Sequence, residues 1–310
     1  MSARQLIVLG TASQAPTRYR HHNSLVVRWD DALIMFDPGE GTQRQAILAG
    51  VSIPRLSAVC ITHFHGDHCL GLPGVIQRRA LDNRDRSDPP PLPVFFPGDD
   101  SQYFDRLRSA SLFHDRSEAV GCPITSGGRL ASLGSTTVLS AHKLDHRVAT
   151  YGYRIDEPDH RRLDRSLLAK HGIDGPDVGR LVDQGWLQTD GGLVRVEDVS
   201  SLRRGQSMAV VMDTRPCENA YLLADGVDML VCEATFHSEH GELAAKYAHM
   251  TALDAGKLAR RAGVRRLVLT HFSARYSDPE RLGDEARTVF DDVVVAKDLM
   301  TVAVPPRTAT

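Results

Sequence analysis

Short apolar runs closed by turn residues dominate the first half of the chain, and each of them predicts a strand. Residues 6–9 are all apolar and end at Gly10-Thr11. Residues 24–29 and 32–36 flank Asp30-Asp31, a polar pair suited to the turn between two strands. Asp37-Pro38-Gly39-Glu40-Gly41 stops the second run, and Thr42 is placed to cap a helix through residues 43–48 that closes at Gly50. Residues 57–61 predict another buried strand, 71–80 a helix, 94–96 a strand and 101–109 a helix. Further strands are predicted over 136–141, 151–155, 208–212, 229–232 and 265–269, with an amphipathic helix over 253–262. Runs this short and this continuously apolar fit strands covered on both faces. Their alternation with helices predicts an α/β architecture, in which polar residues just past the strand ends gather into sites.

The pattern loosens between about 156 and 204. Charge rises there, Gly and Pro recur, and only 166–171 and 178–184 read as short helices. This predicts an arm inserted into a single domain that spans residues 1–310. The stretch 82–93, with its Arg and Asp residues and Pro89-Pro90-Pro91, reads as a solvated loop and not as a linker.

Composition narrows the class. Of 310 residues, 42% are apolar and 25% charged, ordinary values for a globular protein. No run approaches the roughly 20 apolar residues a membrane-spanning helix needs, and the N-terminus runs into a strand without a signal-peptide layout. A soluble, cytoplasmic protein with no membrane partner is expected. Five scattered cysteines without a Cys-x-x-Cys pair argue against both a disulfide framework and a cysteine-bound metal. A net charge of −2 gives no overall attraction to nucleic acid, so such a partner would need a local basic patch.

The densest chemistry is Thr62-His63-Phe64-His65-Gly66-Asp67-His68, directly after a predicted strand. Burying such groups without partners costs on the order of 2–7 kcal/mol each, and a divalent cation partners all four at once. Asp213 and His271 stand at other strand ends, and spacing alone leaves open whether His142 or His146 joins them. Imidazoles with carboxylates select zinc or a similar borderline metal. Seven ligands with one bridging carboxylate would make a two-metal site, with ions roughly 3.5–4 Å apart.

Thr-His-x-His-x-Asp-His resembles the signature of the metallo-β-lactamase superfamily. Further motifs resemble one branch of it, ribonuclease Z of the short form, which processes the 3′ ends of tRNA. They are Phe36-Asp37-Pro38-Gly39-Glu40-Gly41-Thr42-Gln43, His146 ahead of Tyr151-Gly152-Tyr153-Arg154, Met212-Asp213-Thr214, Cys232-Glu233-Ala234-Thr235-Phe236 and Thr270-His271-Phe272-Ser273-Ala274-Arg275-Tyr276. The resemblance covers nearly the whole chain and points to His146, five positions before the aromatic tetrad.

It implies a four-layer αβ/βα sandwich with an inserted exosite arm, and two zinc ions per subunit, with manganese or another divalent ion as an alternative. His63, His65 and His146 would hold one ion and Asp67, His68 and His271 the other, with Asp213 between them. Asp67 would also orient the attacking water, and His249 held by Glu233 would serve the leaving 3′-oxygen. Two positions depart from the family pattern: Cys232 stands where histidine is common, and Met250 where Ser or Thr is usual. Arg275 is an expected phosphate contact. Gly175-Pro176, with Arg161, Arg162, Arg165, Lys170 and Arg180 nearby, resembles the arm motif that grips tRNA. The loop Pro16–Asn23 resembles the one that meets the RNA 3′ end, with His21 and His22 as extra residues. The implied activity is cleavage of precursor tRNA after the discriminator base by a homodimer, leaving a tRNA 3′-hydroxyl and a trailer 5′-phosphate. Two rivals remain: a hydrolase of small esters on the same scaffold, and an RNA-binding protein with a structural metal.

Overall fold

The computed structural model describes residues 4–134 and 137–306. Contacts divide the chain into two units, a body of residues 1–156 and 207–305 and an arm built on residues 157–206.

Two seven-stranded sheets form the body. The first runs Thr301–Ala303, Gln5–Gly10, Ser24–Trp29, Ala32–Phe36, Ala58–Cys60, Leu92–Pro97 and Ala119–Ile124. The second runs Val293–Val295, Leu267–Thr270, Met229–Glu233, Ser207–Val211, Tyr151–Asp156, Thr137–Lys143 and Gly128–Leu133. In each sheet one stretch is antiparallel and the other parallel. Side-chain alternation explains the layers. In Gln5–Gly10, Leu6 and Val8 point into the core shared with the second sheet, among Tyr153, Met208 and Val210. Ile7 and Leu9 point the other way, toward Ala46, Val75, Ile76 and Phe104 on the helices Thr42–Leu48, Leu72–Asp82 and Ser101–Arg108. The second sheet's outer face packs on Glu218–Ala224, Ala252–Arg261 and Glu280–Arg287 through residues such as Leu223, Leu258 and Leu282. The result is the four-layer αβ/βα sandwich.

The main strands and helices fall within a residue or two of their expected limits. Thr136, the expected start of one strand, lies outside the described residues. Ala119–Ile124 and Gly128–Leu133 were not expected to be strands. Both are outer strands whose exposed faces and Gly and Pro residues dilute the apolar signal. The helices Glu218–Ala224, Gly241–Tyr247 and Glu280–Arg287 and the edge strands Val293–Val295 and Thr301–Ala303 were not expected either, each being short.

The arm has its own small core of Leu168, Ile173, Leu181, Leu187, Val194 and Val199. Two short antiparallel pairs, His160–Leu163 with Ser200–Arg203 and Trp186–Thr189 with Gly192–Arg195, accompany its helices Arg165–Lys170 and Pro176–Gln184. The strand pairs are too short to register as periodicity. Gly175 holds φ 49° and ψ −127°, a conformation that essentially requires glycine, and Pro176 then opens the second helix.

Candidate metal centre and catalytic cavity

Strand ends of both sheets deliver the site. The segment Thr62–His68 leaves Ala58–Cys60; Asp213 follows Ser207–Val211; His271 follows Leu267–Thr270; His146 follows Thr137–Lys143. Asp37, Asp213 and His271 all take positive φ (47°, 33° and 60°), where side chains other than glycine are strained. Gly39 lets two segments meet here, because a Cβ on it would stand 2.3 Å from the Asp67 carbonyl oxygen.

Potential ligand atoms fall into groups spanning at most 4.8 Å: His63, His65, His146 and Asp213 in one, and Asp67, His68 and His271 in another. A third group, Asp213, His249 and His271, overlaps both. Asp213 faces two ways. Its Oδ2 lies 3.6 Å from His63 Nε2 and 3.9 Å from His146 Nε2. Its Oδ1 lies 3.3 Å from His271 Nε2 and 3.5 Å from His68 Nε2.

Surrounding hydrogen bonds set the imidazole tautomers. His146 Nδ1 donates to the Ala248 carbonyl at 2.9 Å, and His68 Nδ1 to Asp37 Oδ2 at 2.8 Å. Thr235 Oγ1 donates to Glu233 Oε2 at 2.6 Å and so accepts from His271 Nδ1 at 2.9 Å. Thr62 Oγ1 donates to Asp37 Oδ2 at 2.8 Å and accepts from His63 Nδ1 at 3.1 Å. Each of these four rings is thereby held with Nε2 turned inward. Such outer partners fix the orientation of metal-ligating histidines.

The cluster fits a divalent cation. His146 Nε2 and Asp213 Oδ1 are buried with no hydrogen-bond partner. Burial, reinforced by neighbouring imidazoles, holds His63 well below the usual histidine range, and burial lowers His65 and His146 as well. Neutral imidazoles are the form that binds metal. His68 goes the other way. Burial opposes its charge, but Asp213, Asp67 and Asp37 outweigh burial and raise it. The carboxylates thus call for positive charge at the centre, which a divalent cation would supply. Burial would raise the Asp67 and Asp213 carboxyls, yet the facing histidines hold both below the usual carboxylate range.

Above the cluster opens a cavity of about 670 Å³, lined among others by Gln14, Asp67, His146, Asp213, His249 and Arg275. His249 Nδ1 lies 3.1 Å from both Glu233 oxygens. Burial works against its charge, but Glu233 and Asp213 prevail and His249 is pushed up to about 9. Arg275 Nε donates to Ser273 Oγ at 3.2 Å, and its guanidinium stands 5.2 Å from the Phe236 ring. The loop Pro16–Asn23 is tied to the segment after His271, since Arg20 Nη2 donates to the Ser273 and Tyr276 carbonyls at 3.3 and 2.9 Å. His142 is in neither ligand group. Gly175 and Pro176 lie in the arm.

Sequence reasoning did not single out Asp37, Thr235, Gln14 or the Ala248 carbonyl. Asp37 and Thr235 sit inside motifs that were read as wholes. Gln14 donates its backbone N–H to Asp67 Oδ2 at 2.6 Å, and a main-chain contact leaves no trace in residue type.

A family profile described as the metallo-beta-lactamase superfamily matches residues 17–117. Ribonuclease Z of Salinispora arenicola is 51% identical over 99% of this chain and 98% of its own length. Ribonuclease Z of Streptomyces coelicolor is 50% identical, covering 99% of this chain and all of its own. The chain belongs to the ribonuclease Z family. It is an endoribonuclease, and in that family its His/Asp cluster marks a divalent-metal site. Two solved structures share the family's fold. The metallo-beta-lactamase fold protein YhfI of Bacillus subtilis aligns at TM-score 0.70 and 18% identity over 98% of this chain and all of its own. Human tRNase Z, short form, aligns at 0.66 and 21% over 97% and 100%. Among the described residues no helix is long and apolar enough to cross a membrane.

Proposed function

We propose that the protein removes the 3′ trailer of precursor tRNA by hydrolysing the phosphodiester after the discriminator base, with two zinc ions per subunit in the cytoplasm. Near-full-length identity to proteins named ribonuclease Z carries this reading. The double-facing Asp213 supports the two-ion part. His63, His65 and His146 would hold one ion, Asp67, His68 and His271 the other, and Asp213 both. When bound, such ions polarise the phosphoryl oxygens and make water acidic enough to supply hydroxide near neutral pH.

The chain's own groups do the rest. Asp67, fixed by the Gln14 amide, orients the attacking water and takes its proton. Arg275 pairs with a non-bridging phosphate oxygen. His249 keeps Nδ1 on Glu233, so Nε2 carries the proton that passes to the departing ribose 3′-oxygen. Products are a tRNA 3′-hydroxyl and a 5′-phosphate on the trailer. Gly175-Pro176 and the basic residues around it serve the arm's grip on tRNA. A homodimer is the expected assembly, in which one subunit's arm presents substrate to the other's cavity.

The test is a gel assay on precursors with and without a CCA sequence, using enzyme stripped of metal and then reloaded with zinc or manganese. Cleavage at the discriminator that returns with metal is expected. A zinc-loaded enzyme inert on every 3′-extended tRNA sinks the reading.

A further inference from the structure

Two residues on the cavity wall have no part in the ligand set or the proton transfers. Tyr247 ends the helix Gly241–Tyr247, after which Ala248 turns left-handed with φ 62° and returns the chain so that His249 faces the cluster. The reversal leaves the Tyr247 ring on the cavity lip, 40% exposed. Arg147 follows His146 and lines the same wall. Its Nη2 donates to the Lys246 carbonyl at 2.6 Å, and its guanidinium lies 5.3 Å from the Tyr247 ring centre. The Lys246 ammonium lies 5.5 Å from that ring. A partly exposed aromatic ring with two cations near it, lining a phosphodiester-cleaving cavity, matches how proteins hold unstacked RNA: bases lie on aromatic or guanidinium planes while cations meet phosphates.

We propose that Tyr247, with Arg147 behind it, is the stacking surface for the base of the nucleotide on the 5′ side of the cut. The side follows from the chain. Tyr247 stands two residues before His249, whose proton goes to the 3′-oxygen of that same nucleotide. Stacking tolerates any base, so the platform positions the ribose without reading sequence. The inference rests on the ribonuclease reading above.

The experiment compares zinc-loaded wild type, Tyr247→Ala and Tyr247→Phe on three precursors: intact, abasic at the nucleotide 5′ of the cut, and abasic at the nucleotide 3′ of it. Removing a stacking ring costs about tenfold, so Tyr247→Ala should lose about that in kcat/KM on the intact and 3′-abasic precursors. On the 5′-abasic precursor the wild-type advantage should fall to near one, and Tyr247→Phe should match wild type throughout. A loss that persists on the 5′-abasic precursor marks a structural role and overturns the proposal. So does an advantage that vanishes only on the 3′-abasic one, a failure of Tyr247→Phe to restore activity, or no loss on the intact precursor. Wild type that cleaves none of the three overturns the ribonuclease reading itself.

Discussion

Asp37 is not among the proposed ligands, yet four donors converge on its buried carboxylate: the Thr62 amide at 2.7 Å, the Thr62 hydroxyl and His68 Nδ1 at 2.8 Å, and the Asn23 side-chain amide at 3.4 Å. Removing a partner of this kind typically costs 10–100-fold in metal affinity. Asp37→Ala should therefore weaken metal binding by roughly that factor, read by competition with a chromophoric chelator. His249 poses a different question, because it lies both against Glu233 and in a group with Asp213 and His271. As a proton donor, His249→Gln should lower kcat on precursor tRNA by about 10²–10⁴ while bound metal stays at the wild-type level. Metal lost in parallel would make it a ligand instead. The gathering of residues at this scale was legible, since crowded histidines and carboxylates advertise a cation and the expected seven do cluster. What stayed hidden were contacts made by the main chain, such as the Gln14 amide on Asp67 and the Ala248 carbonyl on His146.

At the scale of elements, the left-handed turn at Ala248 joins one helix end to the site, because its carbonyl orients His146 and the next residue is His249. The Cβ of Ala248 already bears the left-handed backbone penalty of about 1–2 kcal/mol, and a larger side chain would in addition have to fit a fully buried position. Ala248→Val should lower unfolding stability by about 1–3 kcal/mol through overpacking and cut activity, whereas Ala248→Gly, which sheds the Cβ, should stay close to wild type. Urea denaturation and the precursor assay together check this. Elements buried on both faces, such as Ala32–Phe36 and the first four residues of Met229–Glu233, are legible because all of those residues are apolar. Ala119–Ile124 and Gly128–Leu133 are not, because their half-exposed positions accept polar residues, glycine and proline alike. The arm strands pair over four residues each, and their order depends on the arm's own core.

At the scale of the whole molecule, the proposed function puts the chemistry in the body and substrate capture in the arm. Asp156 and Ser207, which bound the arm, are directly paired across an antiparallel ladder. The arm is thus the loop of a hairpin belonging to the second sheet, and a two-residue Asn-Gly turn can replace it. With residues 157–206 exchanged for Asn-Gly, the body should fold, retain metal and hydrolyse a small phosphodiester, while kcat/KM on precursor tRNA falls roughly tenfold or more for want of the second contact. An unchanged precursor rate would remove the arm from substrate recognition. Homodimer assembly is checked by light scattering on the same proteins.

The proposed ligands also differ in origin. His63, His65, Asp67 and His68 hang from the first sheet, and His146, Asp213 and His271 from the second. A bound ion is then a removable rivet through both halves of the sandwich, and the endurance of the enzyme becomes a readout of its metal supply. Each tenfold rise in free metal above the dissociation constant should add about 1.4 kcal/mol of stability for each ion bound, visible as a melting temperature that climbs with the logarithm of metal concentration and drops under chelation. A cell short of metal would lose the protein to unfolding and proteolysis as well as losing its activity, so that tRNA maturation slows through turnover of the enzyme itself.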